Sequence, residues 1–232
     1  MKRNRNNLIL VLLICIVCFC AYMKFAGYAV QTFGLATASK VIVIDAGHGG
    51  YDPGKKGATQ SLEDEINLKI ALKLKDYLDQ SGATVIMTRM DDSYLQGPTG
   101  NTHKRKDMSY RKQVLQESKA DILVSIHQNA FPQQEVRGAQ VFYHQQSEQG
   151  KCLAQAIQEG IKQYTDPNNR RKIKSSGDYY LLNESEMPGV IIECGFLTNL
   201  EEERLLMTDD YQEKVAWGIY MGIIGYFEQL QK

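Results

Sequence analysis

The sequence predicts an α/β fold, a single three-layer domain in which helices cover both faces of a central, mostly parallel, twisted sheet. Short apolar runs alternate along the chain with longer segments whose apolar residues recur at helical spacing, as in sheets of this kind. No Pro/Gly/Ser-rich linker and no internal repeat divides the chain after residue 39. We therefore predict one domain over residues 40–232, preceded by an N-terminal hydrophobic segment and a short linker in residues 1–39.

The first elements follow directly from these patterns. Val41 to Ile44 is an apolar run typical of a buried strand, and Thr84 to Thr88 is a second predicted strand. Between them, Glu63 to Gln80 is a predicted helix, because its apolar residues recur every four positions and Gly82 follows its end. A strand, a helix and a strand in this order start an α/β sheet.

The remaining elements continue the alternation. We predict a polar loop from Met90 to Lys106, a helix to about Lys119, strands at Asp121 to Ile126, Ala139 to His144, Tyr179 to Leu182 and Val190 to Ile192, and a helix from Glu148 to Tyr164. The end of the chain, Asn199 to Gln231, is predicted to be helical, with Leu205, Leu206, Val215, Trp217, Ile219 and Ile223 in the core.

The N-terminal segment predicts export. An unbroken apolar stretch from Leu8 to Met23 follows basic residues, and it is shorter than the roughly 20 residues that span a bilayer unless Phe25 to Val30 extend it. It is either a signal peptide or an uncleaved anchor, and we favour the anchor because the cleavage-like Ala36-Thr37-Ala38 lies far from the apolar run. In either case the basic tip stays cytoplasmic, and the domain is secreted or membrane-anchored outside it.

The charge distribution argues against a nucleic-acid partner. Four of the 27 Lys and Arg residues precede position 25, whereas all 27 Asp and Glu residues follow it, so the domain has a net charge of −4. The local basic run Lys104-Arg105-Lys106, with Arg111 and Lys112 nearby, is interpreted as solvated surface. A site for an anionic polymer is the less favoured alternative.

Four residues at the ends of predicted elements carry the chemistry of a metal hydrolase. His48 follows the first strand in a Gly-rich segment, His127 follows the Ile122 to Ile126 run, and Glu193 follows Val190 to Ile192. Glu63 opens the first helix. Because side chains at these ends converge on one rim of the sheet, we expect all four to lie close together.

Two imidazoles and one carboxylate suit zinc, which accepts nitrogen and oxygen donors and leaves a fourth position for water. We therefore predict one Zn²⁺ per chain, held by His48, Glu63 and His127. Glu193 is then left for proton transfer, because a carboxylate directly after an apolar run is buried at a cost that a purely structural role does not explain.

Each residue also has a plainer interpretation. His48 and His127 can be structural, and Glu63 can be a first-turn carboxylate favoured by the helix dipole. Cys194 beside Glu193 suggests a thiol nucleophile, but such an enzyme would leave three metal-type ligands without a purpose; whether Cys194 pairs with Cys152 stays open. A dinucleotide site at the Gly-rich turn is disfavoured, because the last Gly of its fingerprint is missing and the second strand ends in Arg89 instead of an acid.

These residues resemble the zinc-dependent N-acetylmuramoyl-L-alanine amidases of bacterial cell walls, the Amidase_3 family. The resemblance covers nearly all of residues 40–230 and implies that His48, Glu63 and His127 hold zinc while Glu193 is the catalytic glutamate. It rests on four ordered motifs: Asp45-Ala46-Gly47-His48-Gly49-Gly50-Tyr51-Asp52-Pro53-Gly54, Glu63-Asp64-Glu65-Ile66-Asn67-Leu68, Ser125-Ile126-His127-Gln128-Asn129-Ala130 and Glu193-Cys194-Gly195-Phe196-Leu197-Thr198-Asn199.

Within that family the chain is similar to the germination-specific amidases of the spore cortex in endospore-forming bacteria, which share its plan and its loop at Gly97 to Gly100. This likeness implies that peptidoglycan strands with stem peptides are the substrate. It also implies that the enzyme acts in the cell envelope, in the forespore intermembrane space, and prepares the muramic δ-lactam needed for germination. An accessory protein or a dimer is left open.

Two other functions compete with the amidase. One is a wall protein that binds peptidoglycan without cutting it, and the other is a zinc peptidase that cleaves within the stem peptide. Nearby, Asp45 is expected either to orient an imidazole or to shape the turn. Asn129 is expected to cap the following loop in preference to contacting substrate.

Overall fold

The computed structural model describes residues 13–22, 36–92 and 103–231. Residues 13–22 form a helix, α1, and the domain that follows alternates strands and helices. In chain order its elements are β1 (Val41–Ala46), α2 (Glu63–Gln80), β2 (Thr84–Met87), α3 (His103–Ser118), β3 (Ile122–Asn129), β4 (Gln140–His144), α4 (Glu148–Tyr164), β5 (Lys174–Ser176), α5 (Tyr180–Asn183), β6 (Gly189–Phe196), α6 (Leu200–Leu206) and α7 (Asp209–Leu230).

Within the described ranges, the strands form one six-stranded sheet in the order β2-β1-β3-β6-β4-β5. Strands β2, β1, β3 and β6 run parallel, whereas β4 is antiparallel to β6 and β5 is parallel to β4. The predicted mostly parallel sheet is confirmed. Because β1, β3 and β6 are adjacent, their carboxyl ends share one edge, where open α/β sheets place their ligand sites.

Side chains of the central strands alternate between two cores. The larger core contains strand residues such as Ile44 and Val124 together with apolar residues of α2, α4 and α7. The smaller core lies on the opposite face, where Val43 and Leu123 pack with residues of α3 and α5. Burial on both faces explains why these strands are continuous apolar runs in the sequence. Helices on both faces confirm the predicted three layers.

The predicted strand from Tyr179 to Leu182 is wrong, because this segment contains the one-turn helix α5. Leu181 and Leu182 are both buried, at 5% and 3% exposure, and a strand would have pointed two consecutive side chains to opposite faces. A helical turn directs both toward the smaller core. The short edge strand Lys174–Ser176 was not predicted, since it contains no apolar residue.

The helical C-terminus is interrupted at Thr208. The Thr208 hydroxyl accepts a hydrogen bond from the backbone N–H of Tyr211 and so caps the start of α7, which separates it from α6. Leu205 is 39% exposed, so its predicted place in the core is wrong, whereas Leu206 is fully buried. Helix α3 begins at His103, within the predicted polar loop, and the Gly97 to Gly100 part of that loop lies outside the described residues.

None of the helices in the described part of the chain combines the length and the apolar character of a membrane span. The predicted apolar stretch from Leu8 to Met23 lies only partly within the described residues. The anchor and the boundary at residue 39 therefore stay predictions.

Candidate metal centre

All four predicted site residues lie at the carboxyl-terminal edge of the central strands. His127 near the end of β3 is directly opposite Glu193 of β6 in the parallel register. Side chains alternate between the two faces of a strand, and His127 and Glu193 lie on the face that packs in the smaller core. Both side chains therefore project toward α3 and α5. His48 lies just past the end of β1, and Glu63 is the first residue of α2.

Three of these side chains form a compact group of metal-ligand atoms. One ring nitrogen each from His48 and His127 and one carboxylate oxygen of Glu63 lie within 4.8 Å of one another. His48 Nε2 is 3.3 Å and His127 Nδ1 is 3.0 Å from Glu63 Oε1. Two imidazole nitrogens and a carboxylate oxygen are the donor set of a catalytic zinc site. The residues present therefore fit a zinc ion.

Asp52 orients the imidazole of His48. Its Oδ2 lies 2.9 Å from His48 Nδ1, while its Oδ1 accepts a hydrogen bond from the backbone N–H of Gly54. A hydrogen bond of this kind fixes the tautomer of a metal-binding histidine and leaves the other nitrogen to face the ligand. The sequence shows Asp52 only as part of the Gly-rich motif, and no local pattern indicates this role.

Glu63 is held by backbone groups on both sides. The N–H of Lys55 donates to Oε2 at 2.8 Å, and the N–H of Gln128 donates to Oε1 at 3.1 Å. Two glycines leave space for the group. A Cβ at Gly47 would lie 2.3 Å from Cε1 of His127, and one at Gly54, where φ is +69°, would lie 2.5 Å from Glu63 Oε2. Any side chain at either position would displace the ligands.

Two buried arginines fix the loop that carries His48. His48 itself has a positive φ of 61°, a backbone conformation that residues other than glycine adopt rarely. Arg111 of α3 donates to the carbonyls of Ala46 at 2.9 Å and His48 at 2.6 Å. Arg89, just past the end of β2, donates to the carbonyls of Ala46 and Gly47 at 2.9 and 3.2 Å. Arg111 is only 2% exposed, so its predicted place on the solvated surface is wrong. The prediction is correct for Lys104, whose side chain is 76% exposed.

Asp45 is the counter-ion of Arg111 and contacts neither imidazole through a hydrogen bond. Its carboxylate is fully buried, pairs with the Arg111 guanidinium and accepts hydrogen bonds from the hydroxyls of Ser125 at 2.5 Å and Thr88 at 2.9 Å. Burial alone would raise the pKa of Asp45, but Arg111 and the other donors lower it to about 2. The first expectation, that Asp45 orients an imidazole, is therefore wrong, and its role is to hold the turn.

Arg111→Met is expected to destabilise the fold by about 3 to 5 kcal/mol, because the substitution leaves the charge of Asp45 buried without its partner. Chemical denaturation of the metal-free protein measures this loss. The neighbouring Lys112→Met, which removes a surface pair with Glu184 at 2.5 Å, serves as the matched control and is expected to unfold at nearly the wild-type denaturant concentration. Equal stability of the two variants would contradict the assignment.

Glu193 is buried beside the metal-ligand group. The hydroxyl of Tyr179 lies 3.4 Å from its Oε1, and its Oε2 is buried without a hydrogen-bond partner in the described part of the chain. Burial and the nearby Glu63 carboxylate raise the pKa of Glu193. A carboxylate with a raised pKa that stays close to a metal-type cluster has the properties of a general acid and base. Tyr179 was not predicted as a site residue, because its sequence neighbourhood favoured a strand.

When no cation lies between them, His48 and Glu63 stabilise each other's charged forms. Burial opposes the charge of His48, but hydrogen bonds and charge from Glu63 and Asp52 outweigh it and raise the pKa of His48 to about 9. Burial likewise opposes the charge of Glu63, yet the two histidines hold the pKa of Glu63 well below its usual range. In the metal-free protein a proton on His48 thus supplies positive charge that a metal ion would replace.

This exchange predicts a pH-dependent metal affinity. Because zinc must displace the proton of His48, the apparent affinity is expected to rise about tenfold per pH unit from pH 7 to about 9, with release of about one proton. Competition with a chelator of known affinity measures the slope. An affinity that does not change over this range would contradict the assignment of His48 as a ligand.

The metal-free protein should lose stability over pH 6.5 to 9, since a raised histidine pKa stabilises the fold only while the ring is protonated.

The structure also tests the predicted roles of Asn129 and Cys194 at this edge of the sheet. Asn129 caps its own loop, because its Oδ1 accepts a hydrogen bond from the N–H of Ala130 at 2.8 Å. Cys194 is a buried free thiol and Cys152 is an exposed one. Burial raises the pKa of the Cys194 thiol, which is the opposite of what a nucleophile needs. The thiol-enzyme alternative therefore loses its support.

Comparison with known proteins identifies the class. The chain matches the Amidase_3 family, described as N-acetylmuramoyl-L-alanine amidase, over residues 42–225. It therefore belongs to the Amidase_3 family of hydrolases, the N-acetylmuramoyl-L-alanine amidases, as the sequence motifs predicted.

Individual relatives refine this assignment. The chain is 38% identical over 202 residues to the germination-specific N-acetylmuramoyl-L-alanine amidase of Bacillus subtilis (strain 168), covering 86% of this chain and 84% of that protein. Its fold is similar to that of the CwlD amidase from Clostridioides difficile in complex with the GerS lipoprotein, with a TM-score of 0.79, 43% identity and coverage of 82% of this chain and 100% of that one. An N-acetylmuramoyl-L-alanine amidase from Clostridium difficile 630 is similar at a TM-score of 0.72 and 33% identity, covering 82% and 97% of the two chains.

Proposed function

We propose that this amidase hydrolyses the amide between the lactyl group of N-acetylmuramic acid and the L-alanine of the stem peptide in peptidoglycan. One Zn²⁺ per chain would be held by His48, Glu63 and His127, and Glu193 would be the catalytic residue. The observation that carries the proposal is the donor set within 4.8 Å, with the buried Glu193 opposite His127. When bound, zinc polarises a carbonyl and lowers the pKa of a water molecule toward about 7.

Glu193 performs the proton transfers in this mechanism. Its carboxylate accepts a proton from the water that attacks the lactyl carbonyl carbon, and it gives that proton to the alanine nitrogen as the C–N bond breaks. The products are a free lactyl carboxyl group and a peptide with a free amine. Burial keeps the pKa of Glu193 raised, which brings it closer to neutral pH, where one group can accept and return a proton efficiently.

The other residues of the site position these groups. Asp52 orients the ring of His48, and the N–H groups of Lys55 and Gln128 orient Glu63. Arg111 and Arg89 hold the backbone carbonyls before and at His48, so the loop does not need to reorganise when the ligand group forms.

Product analysis tests the reaction. Purified protein with zinc is incubated with peptidoglycan, and the released material is analysed by mass spectrometry. The proposal requires intact stem peptides that begin with L-alanine, and glycan strands with free lactyl groups. Shortened peptides would support a zinc peptidase instead. Binding of peptidoglycan without release would support a non-catalytic wall protein, although a buried Glu193 beside the ligand group has no use in such a protein.

We further propose that the enzyme acts in the cell envelope during spore cortex maturation, and that its N-terminal segment anchors it to the forespore membrane. Support comes from the similarity to the germination-specific amidase of Bacillus subtilis. A Bacillus subtilis strain that lacks that relative should regain muramic δ-lactam in its cortex when it expresses this chain, but not the Glu193→Gln variant. Failure of the wild-type chain to restore the lactam would contradict the cortex role and leave the amidase reaction to the product analysis.

An accessory protein belongs to the same proposal. The CwlD relative is in complex with a lipoprotein. If peptide release by this chain alone is slow, a lipoprotein partner of that kind is the first component to add.

A further inference from the structure

The carboxylate of Glu193 has one side-chain hydrogen-bond partner within the described ranges, the phenol of Tyr179. The phenol oxygen lies 3.4 Å from Oε1 of Glu193, and Oε2 is buried without a partner. A buried carboxylate is normally held by two or three donors, because an unsatisfied charged group is costly. Within the described residues, side-chain hydrogen bonding therefore orients the Glu193 carboxylate through a single hydroxyl group.

Tyr179 is held in place by its surroundings. It directly precedes α5, and its carbonyl accepts a hydrogen bond from the N–H of Asn183 at 3.1 Å. The next two residues of α5 that face inward, Leu181 and Leu182, are anchored in the smaller core. Its ring also packs edge-on against Phe142 of β4, with ring centroids 5.3 Å apart. The hydroxyl is thus positioned by the anchored backbone of α5 and by the contact of the ring with Phe142.

Tyr179 also faces the space in which substrate would lie. A cleft of about 180 Å³ is lined by Tyr179 together with His48 and His127. Burial raises the pKa of the Tyr179 phenol further above its ordinary value, so the group remains a hydrogen-bond donor at any pH at which the enzyme would work.

We propose that Tyr179 is a positioning residue for catalysis, whose hydroxyl holds Oε1 of Glu193 and so fixes the carboxylate in the orientation from which it exchanges the proton. The inference rests on the proposed function, because it assigns Glu193 as the proton-transfer group. It adds that proton transfer requires the α5 turn, since the turn delivers the hydroxyl.

Tyr179→Phe removes only the hydroxyl and keeps the ring against Phe142. We expect kcat to fall about tenfold, the size expected for the loss of a hydrogen bond to a charged group, while KM and zinc content stay at wild-type values. Tyr164→Phe is the matched control, because its ring packs on Trp217 of α7, on the opposite face of the sheet. A wild-type kcat in Tyr179→Phe, or a loss that appears only in KM, would overturn the proposal.

A spectroscopic measurement separates this inference from the proposed function. The carboxylate stretching band of Glu193 is isolated as the infrared difference between the wild type and Glu193→Gln. We expect this band to shift in frequency in Tyr179→Phe and to be unchanged in Tyr164→Phe. An unshifted band would overturn the role of Tyr179 even if the amidase reaction is correct. Absence of peptide release by the wild type, both alone and with an accessory lipoprotein added, would instead overturn the proposed function, and the band would still report the hydrogen bond.

Discussion

Glu193→Gln is expected to lower kcat of peptide release about 10²- to 10⁴-fold, the range that general acid–base catalysis contributes. Glutamine has nearly the same shape as glutamate but cannot accept and return a proton at neutral pH. It also removes a charge that is costly to bury, so the variant should be at least as stable as the wild type. Metal binding should be unchanged, because Glu193 supplies none of the three clustered ligand atoms.

The measurement combines product analysis by mass spectrometry with the zinc content of the purified variant. Glu159→Gln is a matched control, since Glu159 is exposed on α4 and its hydrogen bond within the described ranges is the one from Gln155 on the same helix. Full activity in Glu193→Gln would refute its role as the proton-transfer group. Loss of zinc together with activity would mean that Glu193 is needed for metal binding and not for proton transfer.

His48→Ala is expected to abolish both zinc binding and turnover. It removes one of three donors and leaves Glu63 without one of the two imidazoles that hold its carboxylate. Substitutions of the residues that merely orient a ligand weaken metal affinity about 10- to 100-fold, so loss of a ligand itself should exceed that range.

Zinc content after dialysis and chelator competition measure this loss. His144→Ala provides the matched control, because His144 ends β4 and, within the described residues, its ring hydrogen-bonds to the backbone N–H of Gln146 at 3.4 Å and not to the metal-ligand group. This variant should bind one zinc ion with wild-type affinity. Stoichiometric zinc in His48→Ala would contradict the assigned ligand set.

The candidate site could be located from sequence because its residues follow apolar runs. His127 and Glu193 each end a run that must be a buried strand, and parallel strands bring their carboxyl ends to one edge. The local pattern was therefore sufficient to place them together. Glu63 could be added because a helix start is marked by the onset of helical periodicity.

The supporting groups could not be found in this way. Arg111 follows three consecutive basic residues on a helix and has the local pattern of a surface residue, yet packing of α3 against β1 buries it beside Asp45. Its burial depends on a pair of residues 66 positions apart, which no local pattern contains. Tyr179 was missed for a related reason: two adjacent leucines fit a strand or a turn of helix, and only the position of the smaller core decides between them.

The most direct test of this account is anomalous diffraction at the zinc absorption edge from crystals of the zinc-loaded protein. We expect one strong peak per chain, at a zinc-ligand distance of about 2.0 to 2.2 Å from His48, Glu63 and His127, with Glu193 beside it but not bound to it. A peak at other residues, or coordination by Glu193 in place of Glu63, would contradict both the metal centre and the mechanism built on it.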